Sequence, residues 1–198
     1  MANRNTQGFG LIAAGVMGQT PATSGQGNYF IEAAYGTDIF NGQPVKMASG
    51  YITDGTASDT TATIGVFNGM FYNAATTLKP TWANWYNQPI TPANSENLTA
   101  FVLDNPFQLY VAAADAAVPQ AQFGKAFGCT TVAAVPGNEQ SGTSKAALDY
   151  ANRHENTHQW RLLRSAEDPE NSDTTAAYGS YIVVQNLNQV INGSGVTW

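Results

Sequence analysis

An antiparallel all-β fold, either a β-barrel or a sandwich with an extended N-terminal arm, is predicted by three features of this 198-residue sequence. The apolar runs are short and rich in β-branched and aromatic residues, turn residues separate almost all of them, and their close spacing leaves no room for the crossover helices of a parallel sheet. The stretch Ile64-Gly-Val-Phe-Asn-Gly-Met-Phe-Tyr72 concentrates the signal. Two such runs meet there at Asn68-Gly69, a pair that favours a type I′ hairpin turn.

Taken in order, residues 1–27 contain six Gly and one Pro, with an apolar run only at Leu11 to Val16, and cannot build a core alone. They read as an extended arm, and residues 28–198 as the β body. Strands are expected at Tyr29 to Ala34, Pro44 to Ala48, Tyr51 to Ile52, Thr63 to Phe67, Met70 to Tyr72 and Phe101 to Leu103. Asn41-Gly42, Ser49-Gly50 and Asp54-Gly55 supply turn residues that tolerate positive φ. Between Lys79 and Glu96, Trp82, Trp85 and Tyr86 stand among three prolines, the composition of a long irregular loop with aromatic anchors. Pro106 to Ala114 carries Phe107, Leu109 and Val111 in alternation and reads as a half-buried central strand. Gln-, Ala- and Gly-rich connections follow around the short apolar segment Thr130 to Val135. The pattern closes with Ala146 to Leu148, Trp160 to Leu163 and the buried run Tyr181 to Gln185, preceded by a turn at Asp168 to Ser172.

Composition narrows the function. Only 11% of residues are charged, against roughly 25% in an average soluble domain. A polar surface with few charges costs less to desolvate and suits a subunit of an assembly. The net charge of −6 and eight scattered basic residues disfavour a nucleic-acid partner. No apolar stretch is long enough for a membrane helix. The N-terminal residues lack the apolar segment of a signal peptide, so the chain is expected to be made in a cytoplasm. Cys129 is the single cysteine and lies beside Phe127, Val132 and Ala133, which marks it as a buried small hydrophobe rather than a nucleophile.

One motif could carry chemistry. His154-Glu155-Asn156-Thr157-His158 matches H-E-x-x-H, in which two histidines one helical turn apart bind zinc and the glutamate acts as general base. The pattern works only on a helix, where positions i and i+4 share a face, and it needs a third protein ligand. Asn152, Asn156 and Thr157 are poor helix formers, and Arg161 and Arg164 occupy the places of the metzincin glycine and third histidine. Glu167 and Glu170 lie in a turn-rich stretch. The segment therefore reads as a solvated loop or strand edge, with a zinc peptidase as a remote alternative. No nucleotide loop, nucleophile elbow or calcium loop is present, and no metal, cofactor or catalytic residue is assigned.

Asn5 to Leu11, Gly42-Gln-Pro-Val-Lys46, Ile64 to Gly69, Lys79-Pro-Thr-Trp82, Val102-Leu-Asp-Asn-Pro106 with Phe107, Arg161-Leu-Leu163, Asp168-Pro169 and Val183-Val-Gln-Asn186 occur in an order that spans most of the chain. In this the sequence resembles the capsid decoration proteins, also called cement or head-stabilising proteins, of tailed bacteriophages, especially those of marine short-tailed phages. The resemblance implies a β-barrel body, often trimeric, on the outside of an icosahedral head. Its arms would clamp neighbouring subunits of the major capsid protein, and no catalytic residues carry over. On that reading Phe9, Leu11, Ile12 and Val16 of the arm and Trp82, Trp85 and Tyr86 of the body are the candidate contact residues. The alternative from another class is a carbohydrate-binding head-fibre or tail module that uses the same aromatic loop as a sugar platform.

Overall fold

A computed structural model of the chain describes residues 2–18, 25–56, 60–130 and 137–191. Twelve strands run through the described residues. They are β1 (Ile12–Val16), β2 (Gly27–Ile31), β3 (Pro44–Ala48), β4 (Tyr51–Asp54), β5 (Gly65–Asn73), β6 (Pro80–Ala83), β7 (Leu98–Leu103), β8 (Gln108–Ala113), β9 (Ala126–Cys129), β10 (Leu148–His154), β11 (Trp160–Ser165) and β12 (Ser180–Gln185). They form two six-stranded sheets, the first ordered β1-β8-β12-β11-β9-β10 and the second β2-β7-β5-β3-β4, with β6 beside β5. All ladders are antiparallel. The arrangement is sandwich-like, and neither sheet closes into a barrel.

Each sheet covers its own apolar cluster. Tyr110, Phe127, Trp160, Leu162, Tyr181 and Val183 fill the first, with the Tyr110 and Trp160 rings edge to face at 5.4 Å. Ile31, Val45, Phe67, Met70, Leu98 and Val102 fill the second, closed by Ile39 and Tyr86 from flanking loops. Val66 and Leu103, from the second sheet, reach into the first cluster, as does Leu11. The Phe107, Leu109, Val111 set faces away from the core, and Tyr110 and Ala112 face into it. An apolar alternation alone does not say which phase is buried when both phases are apolar.

The expected hairpin at Asn68-Gly69 is instead a bulge inside one long strand. Against β7, Phe67 pairs with Val102 and Met70 with Ala100, so two residues of β5 oppose the single Phe101. Gly69 sits at φ +111°, and a Cβ there would lie 2.6 Å from Cζ2 of Trp82. On its other edge, β5 pairs with β3 before the bulge, through Gly65 and Val66, and with β6 after it, through Met70 to Asn73. The extra residue re-aims the strand between two successive partners. A hairpin with positive φ at both central residues does occur, at Ser49-Gly50 between β3 and β4, with φ of 50° and 84°.

Side-chain amides tie the sheets together. Gln159, fully buried ahead of β11, donates from Nε2 to the carbonyls of Gly55 at 2.7 Å and Thr61 at 2.9 Å. Gln185, ending β12, donates to both the carbonyl and Oγ1 of Thr63 at 2.7 Å, and Asn188 donates to Gln185 Oε1 at 2.9 Å. Gln189 brackets Met47, accepting from its N–H at 2.7 Å and donating to its carbonyl at 3.1 Å. Within the second sheet, buried Gln43 accepts from the Phe40 N–H and donates to Asp54 Oδ1. Part of the amide excess in the composition is therefore interior carpentry rather than surface.

The N-terminal segment runs extended, and it lies along its own body. β1 is the edge strand of the first sheet beside β8, Leu11 is 3% exposed, and the Leu11 N–H donates to the Gly42 carbonyl at 2.8 Å. The edge of the packed unit thus lies well before residue 28. Thr130 to Val135 falls almost wholly outside the described residues.

Two substitutions test these joints. Gly69→Val should lower unfolding free energy by about 1–3 kcal/mol, because a β-branched residue at positive φ meets the Trp82 indole. Gln185→Leu should cost about the same by leaving Thr63 Oγ1 and the Asn188 side-chain N–H without the partner that Gln185 supplies. Urea denaturation of each variant against the parent reads both losses.

Candidate contact surfaces

The seven candidate contact residues do not form one surface. Leu11 and Tyr86 are core residues. Tyr86 is fully buried, donates its hydroxyl to the Tyr35 carbonyl at 2.8 Å, and exchanges backbone hydrogen bonds with Ile39. Trp85 is half-buried and stacks on Phe40, centroids 4.9 Å apart and planes within 7°. The aromatic loop is thus largely pinned down, and its first part, Pro80–Ala83, is the strand β6. Phe9 and Val16 are half-buried, whereas Ile12 and Trp82 are 55% exposed, on different sheets.

Around Ile12 an apolar strip covers the outer face of the first sheet. Ile12 lies opposite Val111, and Val111 opposite Ile182. One step along, Leu109 lies opposite Val184. Ile182 and Val184 alternate with core-facing Tyr181 and Val183 and so lie on the outer face, where each is only 7% exposed. Beyond β1, the Met17 N–H donates to the Phe107 carbonyl at 2.9 Å, and both side chains are about half exposed. Arg161 and Arg164, opposite Val184 and Ile182 on β11, rim the strip. One edge of β1 pairs with β8 and no other described strand pairs with it.

Around Trp82 an aromatic row crosses the outer face of the second sheet. Trp82 on β6 lies opposite Phe71 on β5, Phe71 opposite Thr99 on β7, and Thr99 opposite Phe30 on β2. Phe101, two residues along β7, meets the Trp82 ring at 5.1 Å. Phe30, Phe71 and Trp82 are 48%, 38% and 55% exposed. Phe30, Phe71 and Phe101 lay in expected strands, but their shared outward phase becomes visible only once the bulge and β6 are placed.

The histidine motif does not sit on a helix. His154 ends β10 and His158 follows through a run of bends. Their rings stack at 5.8 Å, Thr157 Oγ1 lies 3.2 Å from His158 Nδ1, and Glu155 pairs with Lys125 at 3.0 Å. Among the described residues no group of three His, Cys, Asp or Glu side chains is placed to hold a metal ion. Cys129 is buried in the first cluster.

A polar clamp at the N-terminus, with no local signal in the sequence, seats the first described residues. Asn3 donates from Nδ2 to the carbonyls of Asp173, Ala176 and Ala177 and accepts from the Asp173 N–H. The Asn5 N–H donates to Asn171 Oδ1 at 2.7 Å, and Arg4 pairs with both Glu170 carboxylate oxygens. The receiving loop is shaped by Asp168, which accepts from the Asn171 side chain and the Glu170 N–H, and by Asp173, which accepts from the Thr175 hydroxyl and N–H. Those bonds hold both carboxyls below the usual carboxylate range.

Set against protein-family models, curated proteins and solved structures, the chain matches none.

The clamp has a definite pH response. The Asp168 and Asp173 carboxylates prefer the charged state in the folded loop, so their contribution is present above the ordinary carboxylate pKa of about 4 and is lost as pH falls through the lowered folded values. The Asn3 side-chain amide resonances should be dispersed at neutral pH and collapse reversibly to free-chain positions in stronger acid. Dispersion unchanged down to pH 2 would overturn this account.

Proposed function

We propose that this is a non-enzymatic structural protein of a phage virion, bound to the outer surface of an icosahedral head and stabilising it by bridging subunits of the major capsid protein. The observation that carries the reading is the outer strip of the first sheet. Ile12, Met17 and Phe107 are exposed at a sheet edge, continuous with the half-buried Leu109 and Val111 and, farther in, the buried Ile182 and Val184, and arginines rim the strip. An apolar centre with an arginine rim is the composition of a protein contact. The spread resemblance to capsid decoration proteins names the partner, and the low charge content suits a subunit held by neighbours.

The mechanism follows from geometry. β1 offers an edge that no other described strand pairs with, and Ile12 projects from it on the outer face, so a shell subunit can meet backbone donors and acceptors and apolar area together. Each contact can be weak. A trimer engages several shell subunits at once, and its second and third contacts become intramolecular. Removing residues 1–20 would be a poor test, because it also takes Leu11 from the core and uncovers the β8 edge.

The test uses point variants instead. Purified protein sedimented with expanded or DNA-filled heads that lack it should bind saturably at a symmetry-allowed copy number. Ile12→Asp combined with Phe107→Asp should weaken that binding by about tenfold or more while leaving the fold intact. Absence of saturable binding by the parent, or full binding by the double variant, would overturn the proposal.

A further inference from the structure

The outer face of the second sheet is unusual in what it omits. Strands β2, β7, β5 and β6 are contiguous and contain no Asp, Glu, Lys or Arg. Phe30, Phe71, Phe101 and Trp82 stand on that face across about 14 Å, three strand spacings. None of the described cavities takes in any of these four rings, so they form an open platform.

Between and beside the rings stand groups that both donate and accept. Thr99 separates Phe71 from Phe30. Asn68 in the bulge donates to Gln26 Oε1 at 2.9 Å, in an exposed pair at the β2 end. Asn73, two residues beyond Phe71, donates to Glu96 Oε2 at 2.7 Å, also exposed. Asn28 is exposed on the phase of Phe30. Asn68 also accepts from Asn41 Nδ2 at 3.2 Å, and each amide keeps hydrogen-bonding capacity beyond the bonds it makes.

We infer that this face is a binding platform for a neutral polysaccharide. The ring of a hexose carries an apolar C–H surface and a rim of hydroxyls. Open aromatic faces take the first, and amides with the Glu96 carboxylate take the second. An apolar protein surface laid here would desolvate Asn28 and the remaining donors and acceptors of Asn73 and the Gln26–Asn68 pair without replacing their water. An anionic polymer finds no Lys or Arg on the four strands and meets Glu96 at the rim. The carbohydrate reading anticipated for Trp82, Trp85 and Tyr86 thus moves: Trp82 belongs to the platform, while Trp85 and Tyr86 are packed elsewhere. The inference does not depend on shell binding, since the two surfaces lie on different sheets.

Native gel electrophoresis through entrapped polysaccharide tests it, with a neutral β-glucan, galactan and galactomannan as probes and alginate as the anionic comparison. The full chain should be retarded by at least one neutral polymer and not by alginate. Trp82→Ala should weaken the interaction about tenfold. Phe30→Ser, at an exposed edge where folding is spared, should weaken it several-fold, and Val190→Ser, equally apolar but beside Met47, should leave it unchanged. Circular dichroism checks that each variant is folded. Migration unchanged in all three neutral gels, retardation by alginate alone, or parental retardation of Trp82→Ala and Phe30→Ser would overturn the inference. Loss of head binding in those two variants without any sugar retardation would overturn it in favour of a protein partner.

Discussion

The joint between the two sheets rests on buried glutamine amides, with Val66 and Leu103 packed across it. Gln159 and Gln185 leave the first sheet and satisfy carbonyls in the connection that leads into β5. A side-chain amide can satisfy two backbone groups at once without carrying charge, so its burial costs less than that of an ion pair. Because β5 is the strand on which β3, β6 and β7 all register, its placement fixes the second sheet. The apolar clusters stabilise each sheet, and the amides set how one sheet stands to the other.

Much of the fold was legible because its signals are local. The all-β class, the strands at Pro44–Ala48 and Ser180–Gln185 and the turn at Ser49-Gly50 follow from short apolar runs and turn residues. Asn68-Gly69 misled because a glycine at positive φ serves a bulge as well as a turn, and only cross-strand partners distinguish them. β6 was hidden by Pro80 and the tryptophans, and β9 and β10 by polar or small residues whose pairing is long-range. The candidate surfaces were half legible. Trp82 and Ile12 stood out by type and position, but the burial of Leu11 and Tyr86 depends on Gly42 and Ile39, which no local rule connects to them.

The two outer faces divide the molecule chemically. One presents aliphatic side chains beside a strand edge that no other described strand pairs with, with arginines around it. The other presents rings and amides on four strands, β2, β7, β5 and β6, that contain no Asp, Glu, Lys or Arg. A protein lodged on a shell by the first face would leave the second turned toward the medium, and neither function would compete with the other. The polar clamp that seats Asn3, Arg4 and Asn5 keeps the N-terminal segment in line with β1, so the aliphatic face is presented preformed rather than ordered on contact.

The bulge also gives the chain a chemical clock. In an Asn-Gly pair the following backbone nitrogen can attack the side-chain amide, the route by which ageing proteins lose ammonia and gain aspartate. The Asn68 amide is gripped on both sides, its oxygen accepting from Asn41 and its nitrogen donating to Gln26. Conversion to aspartate would keep the first bond and turn the second into a clash of acceptors. It would also set one negative charge among four strands that otherwise have none, so the age of a molecule would be recorded where its surface is most uniform.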